Sequence, residues 1–279
     1  NVKKKNPYVH NVTSDNYNKL NLVYSQANNF FTFRGLDYEE FSTNIFKNSF
    51  TWSGTKLPGE FVDTWTRLNL TGVYDCDGAL GQITSFQPLG MYLIGFQKNG
   101  IFNVLHNTRT AISSNDGVPI ELASIQGVSG IRYITTTTGV THEMCTAVSP
   151  KGIYFIDVSN KYIGRYNSDG IVNLSESKGI KSWCNTNISA KQINSFYNSQ
   201  GFAIYVDQIN GLVYFVNTQY CLIYSETLEL FMGFYSYEGM TGLYNIWGEV
   251  YTIGKDANLY IQNLGLYNHY FGVYQPSTF

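Results

Sequence analysis

Residues Pro150 to Gly170 read PKGIYFIDVSNKYIGRYNSDG, and the fold is decided by how this stretch is read. Two apolar and aromatic runs, Ile153 to Ile156 and Tyr162 to Tyr166, flank the turn formers Asp157, Ser159 and Asn160, which is the pattern of a β-hairpin. Three further stretches repeat it: GMYLIGFQKNGIFNVLHN from Gly90, GFAIYVDQINGLVYFVN from Gly201 and GEVYTIGKDANLYIQN from Gly248. In each, a Gly precedes an aromatic-rich strand, a polar turn follows and a second strand leads to Asn. From Gly90 through Gly152 and Gly201 to Gly248 the spacings are 62, 49 and 47 residues. A four-stranded sheet recurring every ~40–50 residues is the period of a propeller blade. The sequence therefore predicts an all-β fold, a β-propeller with about four recognisable blades.

Working outward, residues 1–29 are rich in Asn and Lys and hold one alternating segment, Leu20 to Tyr24; they read as an N-terminal arm, and residues 30–279 as the propeller domain. From Thr55 to Gly81, Phe61, Trp65, Leu68 and Leu70 are expected on one side of a short irregular element. Ile83 to Phe86 opens the first blade. The polar insertion Thr108 to Glu121 departs from the hairpin pattern, with Asp116-Gly117 as a turn and Pro119 excluded from a central strand. Ile131 to Val140 is β-branched enough for a strand. Phe202 to Val206, Leu212 to Val216, Tyr220 to Tyr224 and Phe231 to Tyr235 form four strands of one blade. Sustained helical periodicity is missing, and short helices are sought only near Glu39 or Asp63. Four copies are few for a closed ring. Either Phe30 to Leu80 adds a degenerate blade, or another segment or chain completes the propeller.

Composition agrees. Aromatics make up 16% of the 279 residues, with 23 Tyr and 18 Phe, and charged residues only 14%, against about 25% in ordinary soluble proteins. The net charge of −2 gives no overall field for nucleic acid, and Lys3, Lys4 and Lys5, the one basic run, read as a solvated tail. Cys76, Cys145, Cys184 and Cys221 lie far apart without a CxxC pair and read as buried free thiols. No apolar run approaches the ~20 residues that a membrane helix requires.

Chemistry is sparse. His10, His106, His142 and His269 share no metal-ligand spacing. Asp75-Cys76-Asp77-Gly78 begins like a calcium loop but lacks the further oxygen ligands and the distant Glu, so turn chemistry explains it better. Glu60 and Asp63 have the residue types of a glycosidase pair, yet PGE reads equally as a surface turn, and Glu143 is isolated. No GxSxG, Walker loop or GxGxxG is present. Catalytic, cofactor-binding and metal residues are accordingly assigned as none, and no cofactor is expected. The aromatics alternate with Ile and Val inside the strands, which favours packing over ligand stacking: Tyr154, Phe155, Tyr162 and Tyr166 are expected between blades. The four N-x-S/T triplets, Asn69-Leu70-Thr71 among them, carry little weight in an Asn-rich chain.

Several phrases are more specific. DGVPIE (Asp116 to Glu121), IYFID (Ile153 to Asp157), YSETL (Tyr224 to Leu228) and YTIGKD (Tyr251 to Asp256) lie within a stretch, about Thr51 to Ser277, that resembles the muzzle, or tail-nozzle, proteins of crAss-like bacteriophages. The resemblance implies a non-enzymatic virion structural protein at the distal end of a short phage tail, in a ring, commonly sixfold, around the ejection channel. Its implied partners are other copies of itself, the rest of the same precursor and neighbouring tail proteins, with DNA and ejected proteins passing without sequence-specific binding. The chain opens on Asn1 in place of Met and is expected to be a C-terminal portion of such a protein. The competing expectation is a carbohydrate-binding propeller, a receptor-recognition lectin or degenerate glycosidase, with exposed aromatics and carboxylates on one face.

Overall fold

The structure, a computed structural model, describes residues 46–54, 68–106, 110–113, 119–122, 127–188, 201–235, 239–254, 256–262, 269–270 and 273–274. The arm, the expected strand at Leu20 to Tyr24, the Asp116-Gly117 turn and the helix sites near Glu39 and Asp63 lie outside them. The chain divides into two compact units, Asn1–Asp75 with Asn107–Ser129, and Cys76–His106 with Gly130–Phe279.

In the first unit β1 (Ser49–Ser53) pairs antiparallel with β2 (Leu68–Asp75), Ser49 opposite Asp75. Part of the segment expected to be irregular is thus a strand, in which Val73 and Tyr74 suit a pleated surface, although its pairing with β1 shifts register between Thr51 and Ser53. The Phe50 ring lies 5.8 Å from Tyr74 across the pair.

The second unit opens with a meander of β3 (Ile83–Leu89), β4 (Tyr92–Gln97) and β5 (Ile101–His106). The chain then makes β6 (Thr110–Ser113) and β7 (Pro119–Leu122), a small hairpin assigned to the first unit. The insertion is therefore itself a hairpin, and Pro119 is accommodated as the first residue of a two-stranded ribbon, where its missing N–H disrupts no central ladder. The next strand, β8 (Val128–Thr135), adds to β5 and completes a four-stranded first sheet. It ends at Thr135, five residues short of the expected Val140.

The second sheet is the meander β9 (Thr146–Ser149), β10 (Gly152–Asp157), β11 (Tyr162–Asn167) and β12 (Gly170–Asn173). The opening hairpin is β10 and β11, with Asp157 opposite Tyr162. Gly164 lies opposite Phe155, and a Cβ there would come within 2.4 Å of the Phe155 ring, so the bare glycine lets the ring lie across its neighbour.

Two short helices follow, Leu174–Ser177 and Lys181–Asn187. The sequence reading missed them because each is too short to establish a 3.6-residue period. Asn173 caps the first by accepting a bond from the Glu176 N–H at 3.1 Å. Ser175 Oγ accepts from the Ile163 N–H at 2.7 Å and lies 3.2 Å from Cys184 Sγ, which ties the helices to β11.

The third sheet is β13 (Ala203–Asp207), β14 (Leu212–Val216), β15 (Cys221–Ser225) and β16 (Leu230–Phe234), the four strands anticipated. The fourth, three-stranded among the described residues, is β17 (Gly242–Ile246), β18 (Glu249–Ile253) and β19 (Leu259–Gln262). A last pair joins β20 (His269–Tyr270) to β21 (Val273–Tyr274).

These sheets correct the register of the repeat. The hairpins after Gly90, Gly152 and Gly248 are the second and third strands of their sheets, whereas the one after Gly201 is the first and second. The true counterpart of Gly152 in the third sheet is Gly211, immediately before β14. The sheets begin at Ile83, Thr146, Ala203 and Gly242, spacings of 63, 57 and 39 residues. The hairpin inserted before β8 and the helical segment before β13 lengthen the first two intervals; the third holds neither.

First strands lie side by side in chain order: β3 touches β9, β9 touches β13 and β13 touches β17. One apolar core joins Ile94 and Phe96 of the first sheet, Ile153 to Ile156 of the second and Val213, Phe215, Leu222 and Tyr224 of the third. A second core, with Val216, Ile223, Met240, Leu243 and Val250, joins the third to the fourth. The fold is all-β, built chiefly of antiparallel four-stranded sheets packed in succession.

Candidate functional site

The residues singled out for chemistry are dispersed. Glu60, Asp63 and His10 lie outside the described residues, and of His269 only the strand position is described. Asp75 accepts from Ser49 Oγ, and Asp77 caps residues 78–80 by accepting from the Ala79 N–H at 2.9 Å, so each acidic residue of DCDG has a local structural role. His142 Nδ1 accepts from the Met144 N–H at 3.1 Å as the cap of Glu143–Cys145, leaving Glu143 exposed. Among the described residues no three His, Cys, Asp or Glu side chains gather to hold a metal. All four cysteines are buried, as expected, and burial pushes the Cys145 thiol up to about 12.

Buried polar groups gather instead where sheets meet. Between the second and third sheets Glu226 accepts from Ser149 Oγ at 2.5 Å and from the Tyr154 hydroxyl at 2.8 Å, and Lys151 Nζ donates to the Glu226 carbonyl. Ser149, Tyr154 and Glu226 are all buried, so a substrate has no approach and the cluster works as a clasp. Burial, with the Glu226 charge second, pushes the Tyr154 phenol far above its usual range.

At the crossover from the first sheet to the second, Asp157 Oδ1 accepts from the Asn160 N–H at 2.8 Å, and Oδ2 accepts from the Gly139 N–H at 3.2 Å and from Asn160 Nδ2 at 2.8 Å. Burial is the largest influence on this carboxyl and raises its pKa against the hydrogen bonds that lower it. Gln97 completes the crossover: its carbonyl accepts from the Val140 N–H at 2.9 Å, and its Nε2 donates to the Gly81 carbonyl at 2.7 Å. Asp207 repeats the device between the third and fourth sheets, accepting from Asn210 Nδ2 at 2.6 Å and Asn245 Nδ2 at 3.1 Å.

The aromatics behave as packing groups. Phe155 lies 6.0 Å from Phe96 in the first sheet, and Tyr154 5.9 Å from Tyr224 in the third. Tyr162 flanks Phe155 at 5.9 Å, and Tyr166 packs against the edge of the same core.

The fourth sheet is different. Leu243 and Val250 pack on the third sheet, whereas the alternate residues form an opposite, largely uncovered face. Tyr244 is 55% exposed and Leu259 63%, with Ile246 and Ile261 also exposed. Trp247, in the tight turn between β17 and β18, is 97% exposed. Sequence reading missed both Glu226 and this face. Glu226 lies in the YSETL phrase, but nothing local marks it as buried, and alternating apolar residues do not tell a covered face from an open one.

A sequence model described as the crassvirus muzzle protein matches residues 2–256. The chain belongs to the crassvirus muzzle protein family. It is 41% identical over 266 residues to the muzzle protein of Bacteroides phage crAss001, a match covering 95% of this chain. The chain spans 19% of that muzzle protein's length. The family match begins at residue 2, so it takes in most of the segment read as an arm and extends well N-terminal of the resemblance noted from Thr51.

Proposed function

We propose that the chain is a non-enzymatic structural part of the virion, belonging to the muzzle at the distal end of a short phage tail. The observation that carries this reading is the family match across residues 2–256. In this role the packed sheets act as consecutive blades of a β-propeller, a rigid wall element in a ring, sixfold as the resemblance implies, around the channel through which DNA and ejected proteins leave. Its partners are its own copies, the rest of the muzzle polypeptide and neighbouring tail proteins. The side-by-side first strands support the propeller, because adjacent inner strands are what a radial array of meanders requires. The net charge of −2 suits a wall past which DNA slides without sequence-specific grip. The location in the virion is tested by mass spectrometry of purified particles with a tail reconstruction. The chain is expected in density at the tail tip, and its absence from particles would sink the reading.

The carbohydrate-binding alternative keeps one supporting observation: Trp247, Tyr244 and Tyr251 share a region with Glu249, whose carboxylate accepts from the Tyr251 hydroxyl at 2.9 Å. The interleaved Ile246, Leu259 and Ile261 favour a protein surface, since a sugar site needs polar groups beside its rings. A glycan array separates the two, with no binding expected.

A further inference from the structure

We propose that the uncovered face of the fourth sheet is a docking surface for one further antiparallel sheet, supplied by the rest of the muzzle polypeptide, with Trp247 as its anchor. The inference rests on the propeller reading above and names the face through which the array continues.

Three successive packings set the pattern. Each sheet meets the next through an apolar face, and the second and third are covered on both sides. On the fourth, Tyr244 lies beside Tyr251 and Tyr251 beside Ile261, while Ile253 lies beside Leu259. These residues project to the side opposite Leu243 and Val250, as period-two alternation dictates. The result is a ladder of aromatic and aliphatic side chains like those buried between the earlier sheets. Its one charged member, Glu249, sits at the corner and is bonded to Tyr251.

Trp247 supplies an independent observation. It adopts φ 50° and is followed by Gly248 at φ 86°, so both central residues of the two-residue turn have positive φ, as in a type I′ turn. Asn-Gly is the favoured pair there, and a bulky residue at positive φ is a strained choice. An indole held in that conformation and 97% exposed contributes little to its own hairpin. Trp is also the residue type most enriched at the energetic centres of interfaces.

The occupant follows from continuity and length. The ladder matches the existing sheet-to-sheet interfaces, and the chain spans 19% of the crAss001 muzzle protein, which leaves ample polypeptide for another sheet. A sugar would find few polar groups here.

The test places a benzophenone amino acid at Leu259 in the full-length muzzle polypeptide, assembled in particles, and maps crosslinked peptides by mass spectrometry. Crosslinks to a segment of the same polypeptide outside these 279 residues, with alternating apolar sequence, support the proposal. Crosslinks to the same sheet of a second copy, to another tail protein or to glycan overturn it, as does a particle in which the probe reacts only with solvent. All four outcomes leave the virion role standing, whereas absence of the chain from particles removes that role first. A second arm uses Trp247→Asn, which suits the turn better. The 279-residue chain should melt at the same temperature or higher, while in the full-length polypeptide cleavage at the 247–248 turn should accelerate about tenfold or more, the effect of losing about 1.4 kcal/mol of local protection. Unchanged protection in the full-length variant overturns the proposal.

Discussion

The second and fourth sheets are both rich in apolar and aromatic residues, yet their burial differs. In β10 every residue from Gly152 to Asp157 is buried, with Phe155 against the first sheet and Tyr154 against the third. In β18 and its neighbours one set packs on the third sheet and the other faces outward. A sheet with two neighbours becomes core; the same pattern with one neighbour becomes a surface. The difference lies in what stands next to the sheet.

The largest effect that would sharpen this contrast comes from truncation. Phe155→Ala should destabilise the chain by about 3–5 kcal/mol, because the ring fills a fully buried site between sheets. Ile261→Ala on the open face should cost less than about 1 kcal/mol. Denaturant unfolding of the 279-residue chain measures both, and equal losses would break the comparison.

Next comes the Asp157 clasp. Asp157→Asn leaves an amide N–H₂ where a carboxylate oxygen accepted two bonds, and should cost about 1–3 kcal/mol at pH 7. The residue also has a pH signature. Its folded pKa is raised by burial above the unfolded carboxylate value, so over that window the native state holds a proton that the unfolded chain has released. Its contribution is full below the unfolded value and is lost as pH rises through the folded one. The variant should lack this slope between those pH values in urea titrations at stepped pH, and an unchanged slope would remove Asp157 from the account.

Tyr154→Phe should cost a similar or smaller amount, about 1–2 kcal/mol, because Glu226 loses the Tyr154 hydroxyl as a donor and keeps Ser149 Oγ while the ring packing stays. A cost no larger than that of Tyr251→Phe on the open sheet would mean that the Glu226 clasp contributes nothing to the seam.

The smallest effect is kinetic. With all four thiols buried and the Cys145 thiol at about 12, a thiol reagent at pH 8 should label the cysteines only at the rate at which the chain opens. Fast labelling of Cys145 or Cys184 in native buffer would show that the packed second sheet opens locally.

The hairpins were legible because a strand is specified within a few residues: β-branched and aromatic side chains alternate, and Gly, Asn and Asp set the turns. The four strands of the third sheet follow one another so closely that each could be placed from residues 202–235 alone. The copy at Gly201 was misaligned because a hairpin of first and second strands looks like one of second and third; only pairing partners tell them apart. The helices Leu174–Ser177 and Lys181–Asn187 were not legible because four and seven residues show too little of a 3.6-residue period. Glu226 was illegible because burial of a carboxylate depends on Ser149 and Tyr154, more than 70 residues away in the chain.

The sequence by itself determined that this protein is all-β, repetitive and poor in reactive groups, since strand propensity, turn chemistry and composition are local. Tertiary structure alone decided which faces are core, where Glu226 and Asp157 lock sheets together, and that the ladder from Tyr244 to Ile261 with its exposed Trp247 remains open. Burial is a property of neighbours in space, and alternation along a strand says only that a face is suited to one.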